Sequence, residues 1–412
     1  MSATMPDHAS SSPSPSPEAK PESPLHPRVV LRKLAEGEAG SLRVLITLAI
    51  IWIIFAIAHD RFLTPINLTN LALQSVAVGT ISVGVVLVLL LGEIDLSVGA
   101  VSGLSAAIVA SLSVKSGWAP IPALLVGFAA ALAIGFFQGS VATRLSIPTF
   151  VVTLAGLLTW QGAQLKVLGT TGTLNITNPT ITGLTSTFFS DVVGWVLAAV
   201  GIAWLALAAL RRRRRRARKN LPTESTGLLV ARLLAPAAAI IATVAVLNAD
   251  RGVPLALLIL VGLVMIVNTV LTRSTYGRHI YAIGGNAEAA RRAGIRVQWI
   301  QTSVFMLASL FAAAGGIMAA SRLLAVNQSS GGGDVLLMSI AGPVVAGVSL
   351  FGGRGSVWGA LLGSLVIVSI SNGMDLLALD TAVKFMVTGG VLLAAVASDA
   401  VTRSRRRSAG RA

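Results

Sequence analysis

The chain has 412 residues, of which 54% are hydrophobic and only 12% charged, with a mean hydropathy of +0.81 and a formal net charge of +16. Soluble domains carry about 25% charged residues, so this composition excludes an ordinary soluble protein and points to an all-α polytopic membrane protein. Cysteine is absent, which excludes disulfides, thiolate metal sites and cysteine catalysis.

The chain opens on MSATMPDHASSSPSPSPEAKPESPLHP, within a Ser/Pro-rich segment, 1–40. It has too little apolar surface to fold, and lacks the charged start and apolar core of a signal peptide. A disordered cytoplasmic tail is expected, followed by a membrane domain over 41–400 and a basic cytoplasmic tail over 401–412.

Twelve apolar runs of about membrane length follow, taking roughly 17–25 residues per spanning helix. They lie near 43–59, 69–91, 97–114, 121–142, 149–168, 192–210, 233–249, 253–271, 299–320, 335–351, 356–374 and 381–398. Three are weak: 97–114 is short and rich in Gly and Ser, 233–249 contains Pro236, and 335–351 is broken by Gly342 and Pro343. Interrupted segments are tolerated in a bilayer only against protein or a water-filled cavity.

With the N-terminus inside and twelve crossings, the cytoplasmic segments collect 26 of the 32 Lys and Arg. The outside keeps Arg61, Lys115, Lys166, Arg251, Arg322 and Lys384. This asymmetry predicts N-in, C-in. The run RRRRRRARK at 211–219, in a basic loop reaching Arg232, abuts a span and reads as an anchor for anionic lipid rather than a nucleic-acid site. A cysteine placed at Ser225 should accordingly be labelled only from the inside.

Between the second and third runs stands LLLGEIDLSVGA, 89–100, with Glu93 and Asp95 flanked by charge-free apolar sequence. A charge there needs a partner, water or a function. Asp95 precedes Leu96-Ser97-Val98-Gly99, so its carboxylate can cap a helix beginning at Leu96. A role on a solute pathway is the other reading, and Glu93 could face water at headgroup level. Gly92, Gly99 and Gly103 allow close helix approach. Trp160, Gln161 and Gln164 on the fifth run could contact a polar solute or bond neighbouring helices.

The inside loop TRSTYGRHIYAIGGNAEAARRAGIRVQ, 272–298, predicts a short surface helix. Asn286 is a good N-cap, Gly294 can end the helix, and Glu288, Arg291 and Arg292 lie on it. On spacing alone it is either a solvated connector or a docking element.

LFGGRGSVWGA, 350–360, echoes the first motif only through small residues, and is too weak to define a repeat. It is no phosphate loop, since G-x-x-x-x-G-K-[ST] is absent from the chain. No catalytic or metal-binding constellation appears either: His8 and His26 fall in the tail, His59 ends a span and His279 lies in the inside loop. An ion-coupled secondary transporter would need ionisable groups near mid-membrane; Asp375, Asp380 and Lys384 fall instead at the outer interface of the expected topology.

GEIDLSVG (92–99), GRHIYAIGGNAEAARRAGI (277–295) and GVSLFGGRGSVWGALLG (347–363) occur in the order and spacing of ribose- and xylose-type sugar permeases of ABC importers. The chain resembles that family over about 60–398, with the pair 192–210 and 233–249 similar to the xylose-type branch. The resemblance implies a ten-helix core plus that inserted pair, in a multi-pass protein of the cytoplasmic membrane. It also implies a homodimer working with an ATPase chain of two fused nucleotide-binding domains and an extracytoplasmic sugar-binding protein. ATP and Mg would then sit on the ATPase, with no cofactor on this chain. Its E-A-A-x-x-x-G loop would dock into the ATPase as a coupling helix, here through Gly277, Arg278, Gly284, Asn286, Glu288, Ala289, Ala290 and Gly294. Translocation-path candidates are Gly92, Asp95, Ser97, Gly99, Trp160, Gln161 and Gln164. The chain departs from the family where an acidic pair usually precedes GVSLFGG: Leu336 and Met338 stand there, with Asp334 nearby. Glu93 stands where ribose-type permeases often have Gly, and Pro343 enters a stretch that is usually aliphatic. Another small solute remains the alternative cargo.

Overall fold

The computed structural model describes residues 40–221 and 226–408. The N-terminal tail, apart from Gly40, and Ser225 lie outside the described residues. Each apolar run falls on a helix. In chain order these are α1 (Gly40–Ala58), α2 (Pro65–Leu90), α3 (Val98–Val114), α4 (Pro120–Arg144), α5 (Thr149–Leu168), a short α6 (Pro179–Ser186), α7 (Asp191–Arg218) and α8 (Thr226–Asn248). After them come α9 (Leu255–Arg273), the short α10 (Thr275–Gly285) and α11 (Ala287–Arg292), α12 (Val297–Leu323), α13 (Gly333–Val345), α14 (Trp358–Leu376) and α15 (Thr381–Ser408). Six of them, α2, α4, α7, α9, α12 and α14, are long and apolar enough to cross a membrane.

The helix starts follow local chemistry. Thr64 caps α2 by accepting the Asn67 N–H, and Pro65 takes the first position, where a missing N–H costs nothing. Asn178 and Pro179 repeat the device at α6. The basic run 211–218 is a helical continuation of α7, whose 28 residues rise about 42 Å at 1.5 Å per residue, past a hydrocarbon core of about 30 Å. Likewise α15 runs on as helix to Ser408, through most of the basic tail.

At the centre α12 runs between α2, α3 and α4, and small residues set the spacing. A Cβ on Gly84 would meet the Ala308 backbone at 2.8 Å, one on Gly139 the Thr302 Cα at 2.8 Å, and one on Gly316 would overlap Ser102 O. Helices in lipid gain nothing from mutual apolarity, so this close backbone approach is what binds them. Beside it α13 and α14 touch at Gly342 and Gly363, where a Cβ on Gly363 would overlap Gly342 O.

Of the weak runs, α3 and α13 are short helices, and α8 and α13 each carry a proline inside. At 13 residues, or about 20 Å, α13 is too short to cross the core alone. Pro343 inside it supplies no N–H to the Ser339 carbonyl one turn back. That carbonyl accepts the Ser82 hydroxyl of α2 instead, at 3.0 Å, which satisfies a polar group that lipid cannot.

The loops sort to two ends. One end carries two small antiparallel ribbons: β1 (Thr173–Asn175) pairs with β4 (Ala325–Asn327) in the register Leu174↔Val326, and β2 (Phe188–Phe189) pairs with β3 (Val253–Pro254). There Lys115 donates to the Val167 and Leu168 carbonyls, Arg251 reaches Asn70 at 3.0 Å, and Lys384 pairs with Asp375. The breaks α2/α3 and α13/α14, together with α10 and α11, gather at the other end.

Candidate coupling site and translocation path

The 272–298 loop forms two helices. Ser274 caps α10 by accepting the Gly277 N–H at 3.1 Å, and Asn286 Oδ1 caps α11 by accepting the Ala289 N–H at 2.9 Å. Gly294, at φ +82°, leads the chain away after α11. Glu288 pairs within its own helix, with Arg291 at 2.8 Å and Arg292 at 3.2 Å, and these side chains are exposed. Ala290 faces the core and is 4% exposed, so only Ala289 of the small-residue step lies open to solvent. Arg278 is exposed on α10, while Gly277 is buried against Leu271.

Two tyrosines hold α10 to the body. The Tyr276 hydroxyl and Ser303 Oγ are 2.8 Å apart, and Tyr281 donates to Gly355 O at 3.0 Å. Burial pushes both phenols above the ordinary tyrosine range; the Ser303 bond offsets this in part at Tyr276.

The three motifs meet at glycines. Gly92 and Gly352 both have positive φ, +80° and +83°, which only glycine adopts cheaply. A Cβ on Gly352 would stand 2.6 Å from Gly284 O and 2.8 Å from Gly92 Cα. One on Gly284 would overlap Leu90 O and come within 2.5 Å of Gly353 N. Gly353 N–H donates to Leu90 O at 2.9 Å.

Just beyond Gly92, Glu93 accepts from Thr149 Oγ1 at 2.6 Å and from Gln301 Nε2 at 3.0 Å, tying the first break to α5 and α12. It is half-buried rather than open to water. Asp95 is 4% exposed. Its Oδ1 accepts the Ser97 N–H at 2.8 Å and the Ser97 hydroxyl at 2.7 Å. The helix starts at Val98 and not at Leu96: the first carbonyl to accept a bond from one turn ahead is that of Ser97, from Val101 N–H, while Leu96 N–H donates sideways to Thr153 Oγ1 of α5. The Asp95 carboxylate therefore closes a turn ahead of α3, with Ser97 in the cap position.

Ser97 has one hydroxyl proton. With that proton on Asp95, its 3.0 Å contact to the Gln138 amide is a hydrogen bond only if Gln138 presents its NH2. The amide oxygen then faces the Gly156 side, where the buried indole N–H of Trp160 has no hydrogen-bond partner. A Cβ on Gly156 would overlap that amide and stand 3.0 Å from Trp160 Nε1. Asp95 Oδ2 is also buried without a partner. Asp95, Ser97, Gln138 and Trp160 thus line one buried polar strip, with Gln161 half-buried beside Trp160.

Gln164 does something else. Its Nε2 donates to Asn327 O at 3.0 Å and Ser330 O at 2.9 Å, fastening the loop before α13 to α5, where that loop also lies against α3. There a Cβ on Gly99 would stand 2.7 Å from Gly331 O, and one on Gly103 would overlap Ser330 O and Gln164 Oε1. Asp334, in the first turn of α13, is exposed, Leu336 is buried and Met338 is half-buried.

Reading the chain missed Gln138, Thr149, Thr153, Gln301 and Tyr281. Gln138 and Gln301 carried the signal that marked Gln161 and Gln164, an amide inside an apolar run. The threonines carried none, since their bonds depend on which helices become neighbours.

The family described as "Branched-chain amino acid transport system / permease component" matches residues 67–396. The xylose transport system permease protein XylH of Escherichia coli is 34% identical over 84% of this chain and 87% of its own length. XylH of Haemophilus influenzae is 32% identical over 88% and 96%, and the ribose import permease protein RbsC of Bacillus subtilis 31% over 88% and 94%. No solved structure matches.

Proposed function

Because the chain belongs to this family of transport-system permease components, a multi-pass membrane protein and not an enzyme, we propose that it is the membrane subunit of an ATP-driven, binding-protein-dependent monosaccharide importer of the xylose type. The observation that carries the reading is the near full-length similarity to xylose permeases, 87% and 96% of those relatives. The amino acid named in the family description stands against the sugars named for these relatives, and the sugar reading rests on the latter.

In this reading α11 is the contact with a separate ATPase of two fused nucleotide-binding domains, on which ATP and Mg act. The chain crosses the membrane twelve times with both termini inside and works as a homodimer, and a sugar-binding protein delivers cargo at the ribbon end. The arginines ending α7 meet anionic headgroups. The buried strip at Asp95, Ser97, Gln138 and Trp160 lies on the path. Against ion coupling, the carboxylates near the last span have local partners: Asp375 pairs with Lys384, and Asp380 caps the Val383 N–H.

The test is uptake of labelled xylose, ribose and leucine by cells making the chain with its ATPase and binding protein. Xylose uptake that stops on ATPase inactivation is expected. Leucine uptake without pentose uptake would overturn the cargo, and uptake driven by an ion gradient alone would overturn the class. A single cysteine at Ser225 should react only with reagent from the inside, and outside labelling would overturn the twelve-span arrangement.

A further inference from the structure

We propose that Gly92, Gly284 and Gly352 form a backbone joint that carries movement of α11 to both interruptions of the membrane domain, so that these glycines and Tyr281 are positioning residues for transport. The proposal rests on the reading of α11 as the ATPase contact. It adds the route by which that contact is felt.

The contact at this joint is main chain on main chain. Gly284 lies against Leu90 O and Gly353 N, and Gly352 against Gly284 O and Gly92. A side-chain interface can absorb a small displacement by changing rotamer. Three backbones in van der Waals contact cannot, because close-packed matter transmits strain. Two hydrogen bonds fasten the same place, Gly353 N–H to Leu90 O and Tyr281 O–H to Gly355 O.

Each partner of Gly284 belongs to a different interruption. Leu90 and Gly92 precede α3, and Gly352 to Gly355 precede α14. Beyond the first break, Glu93 ties to α5 and α12, and Asp95 holds the turn into α3. Beyond the second, α13 returns to the α3 face, where Gly331 meets Gly99. The two interrupted helices therefore touch both through the joint and along α3. On the other side, α11 is capped by Asn286, one residue past Gly285, and seated by the buried Ala290. A push on α11 reaches Gly284 with no flexible linker between.

The neighbouring glycine is the control. A Cβ on Gly285 would have nothing within 4 Å. The whole transporter, with ATPase and binding protein, is reconstituted in vesicles, and three quantities are read with xylose as probe: co-purified ATPase, ATP hydrolysed, and xylose moved per ATP. For Gly284→Ala we expect xylose per ATP to fall about tenfold, as an overpacking penalty of roughly 1.4 kcal/mol implies, with ATPase still bound. Gly285→Ala should stay within about twofold of the parent, as an open surface site does. Tyr281→Phe removes one hydroxyl and should lower xylose per ATP severalfold while the chain still accumulates and retains its ATPase. An unchanged ratio in Gly284→Ala overturns the joint; should that variant not accumulate, an unchanged ratio in Tyr281→Phe overturns it. Equal losses in Gly284→Ala and Gly285→Ala overturn it also. If the parent chain retains no ATPase, the reading of α11 itself has failed, which is a different result from an intact complex with a normal ratio.

Discussion

The central helices α2 and α12 and the inserted pair α7–α8 are all apolar enough for lipid, yet they sit in the molecule by different rules. Nearly all of α2 beyond its first turns is buried, whereas in α7 only Gly194 and Ala198 are. The difference is not apolarity, since the best stretches of α2 and α7 match closely. It lies in small residues and in polar groups that need internal partners. Gly79, Gly84 and Ser82 of α2 and Gly315 and Gly316 of α12 let neighbours approach. In α7, Gly201 has one ordinary contact, Ile240 at 3.8 Å. In a bilayer, apolarity decides whether a helix is inside the membrane, and small residues decide what stands beside it.

The largest effect should come from one added methyl in the centre. Gly316→Ala places a Cβ on Ser102 O, and Gly363→Ala places one on Gly342 O. Each should cost about 1–3 kcal/mol by overpacking, against the usual gain of roughly 0.5–1 kcal/mol for Ala over Gly in a helix. Gly201→Ala in the insert should show only that gain. Thermal unfolding in detergent gives the order, and a destabilised Gly201→Ala beside an unaffected Gly316→Ala would erase the distinction drawn here.

Asp95 comes next. Asn offers the same acceptor to the Ser97 N–H and hydroxyl, while Ala leaves both unmatched in a buried place. Ala should cost about 1–2 kcal/mol and most of the uptake, and Asn should keep most of it at matched membrane abundance. Equal collapse of the two variants would show that the charge itself contacts the solute or a partner. Full activity in both would remove Asp95 from turn and path alike.

A smaller coupling is expected between Ser82 and Pro343. Ser82→Ala leaves the Ser339 carbonyl without a donor, a loss of about 1 kcal/mol. Pro343→Ala restores the N–H one turn ahead, so Ser82→Ala should then cost less. A double-mutant cycle with no interaction energy would mean that the carbonyl finds its partner elsewhere.

These cases also show what was legible beforehand. That the chain is mostly helical, with several helices apolar enough for a membrane, could be read because hydropathy is a property of single segments. The cap at Asn286 and the exit at Gly294 could be read because caps are local. That the Leu96 N–H beside Asp95 is taken up by Thr153 could not, since that partner stands on another helix. Pro343 stood out as a break, but its remedy, Ser82, lies 257 residues away in the chain. Ala290 looked like a surface contact until the helix was oriented with that residue inward.

The smallest expected effect uses the chain's two tyrosines, both of which sit on α10 at the joint end and neither in the insert. Burial raises each phenol above its ordinary value of 10.0. A raised value means that the folded state holds the proton more tightly than the unfolded chain. That contribution is complete below the unfolded value and is lost as pH rises through the folded one. Stability should therefore begin to decline near pH 10 and continue downward above it. Tyr276→Phe and Tyr281→Phe together should flatten the decline, because no titrating phenol remains. Thermal unfolding of parent and double variant, followed from about pH 9 to 11, reads the two slopes. Since both groups lie on α10, the part lost first should be the seat of α11, seen as earlier alkaline cleavage at Arg291 and Arg292 than in the basic end of α7. Parallel slopes in parent and variant would mean that groups other than these two phenols set the alkaline limit, and that α10 is held by its apolar face alone.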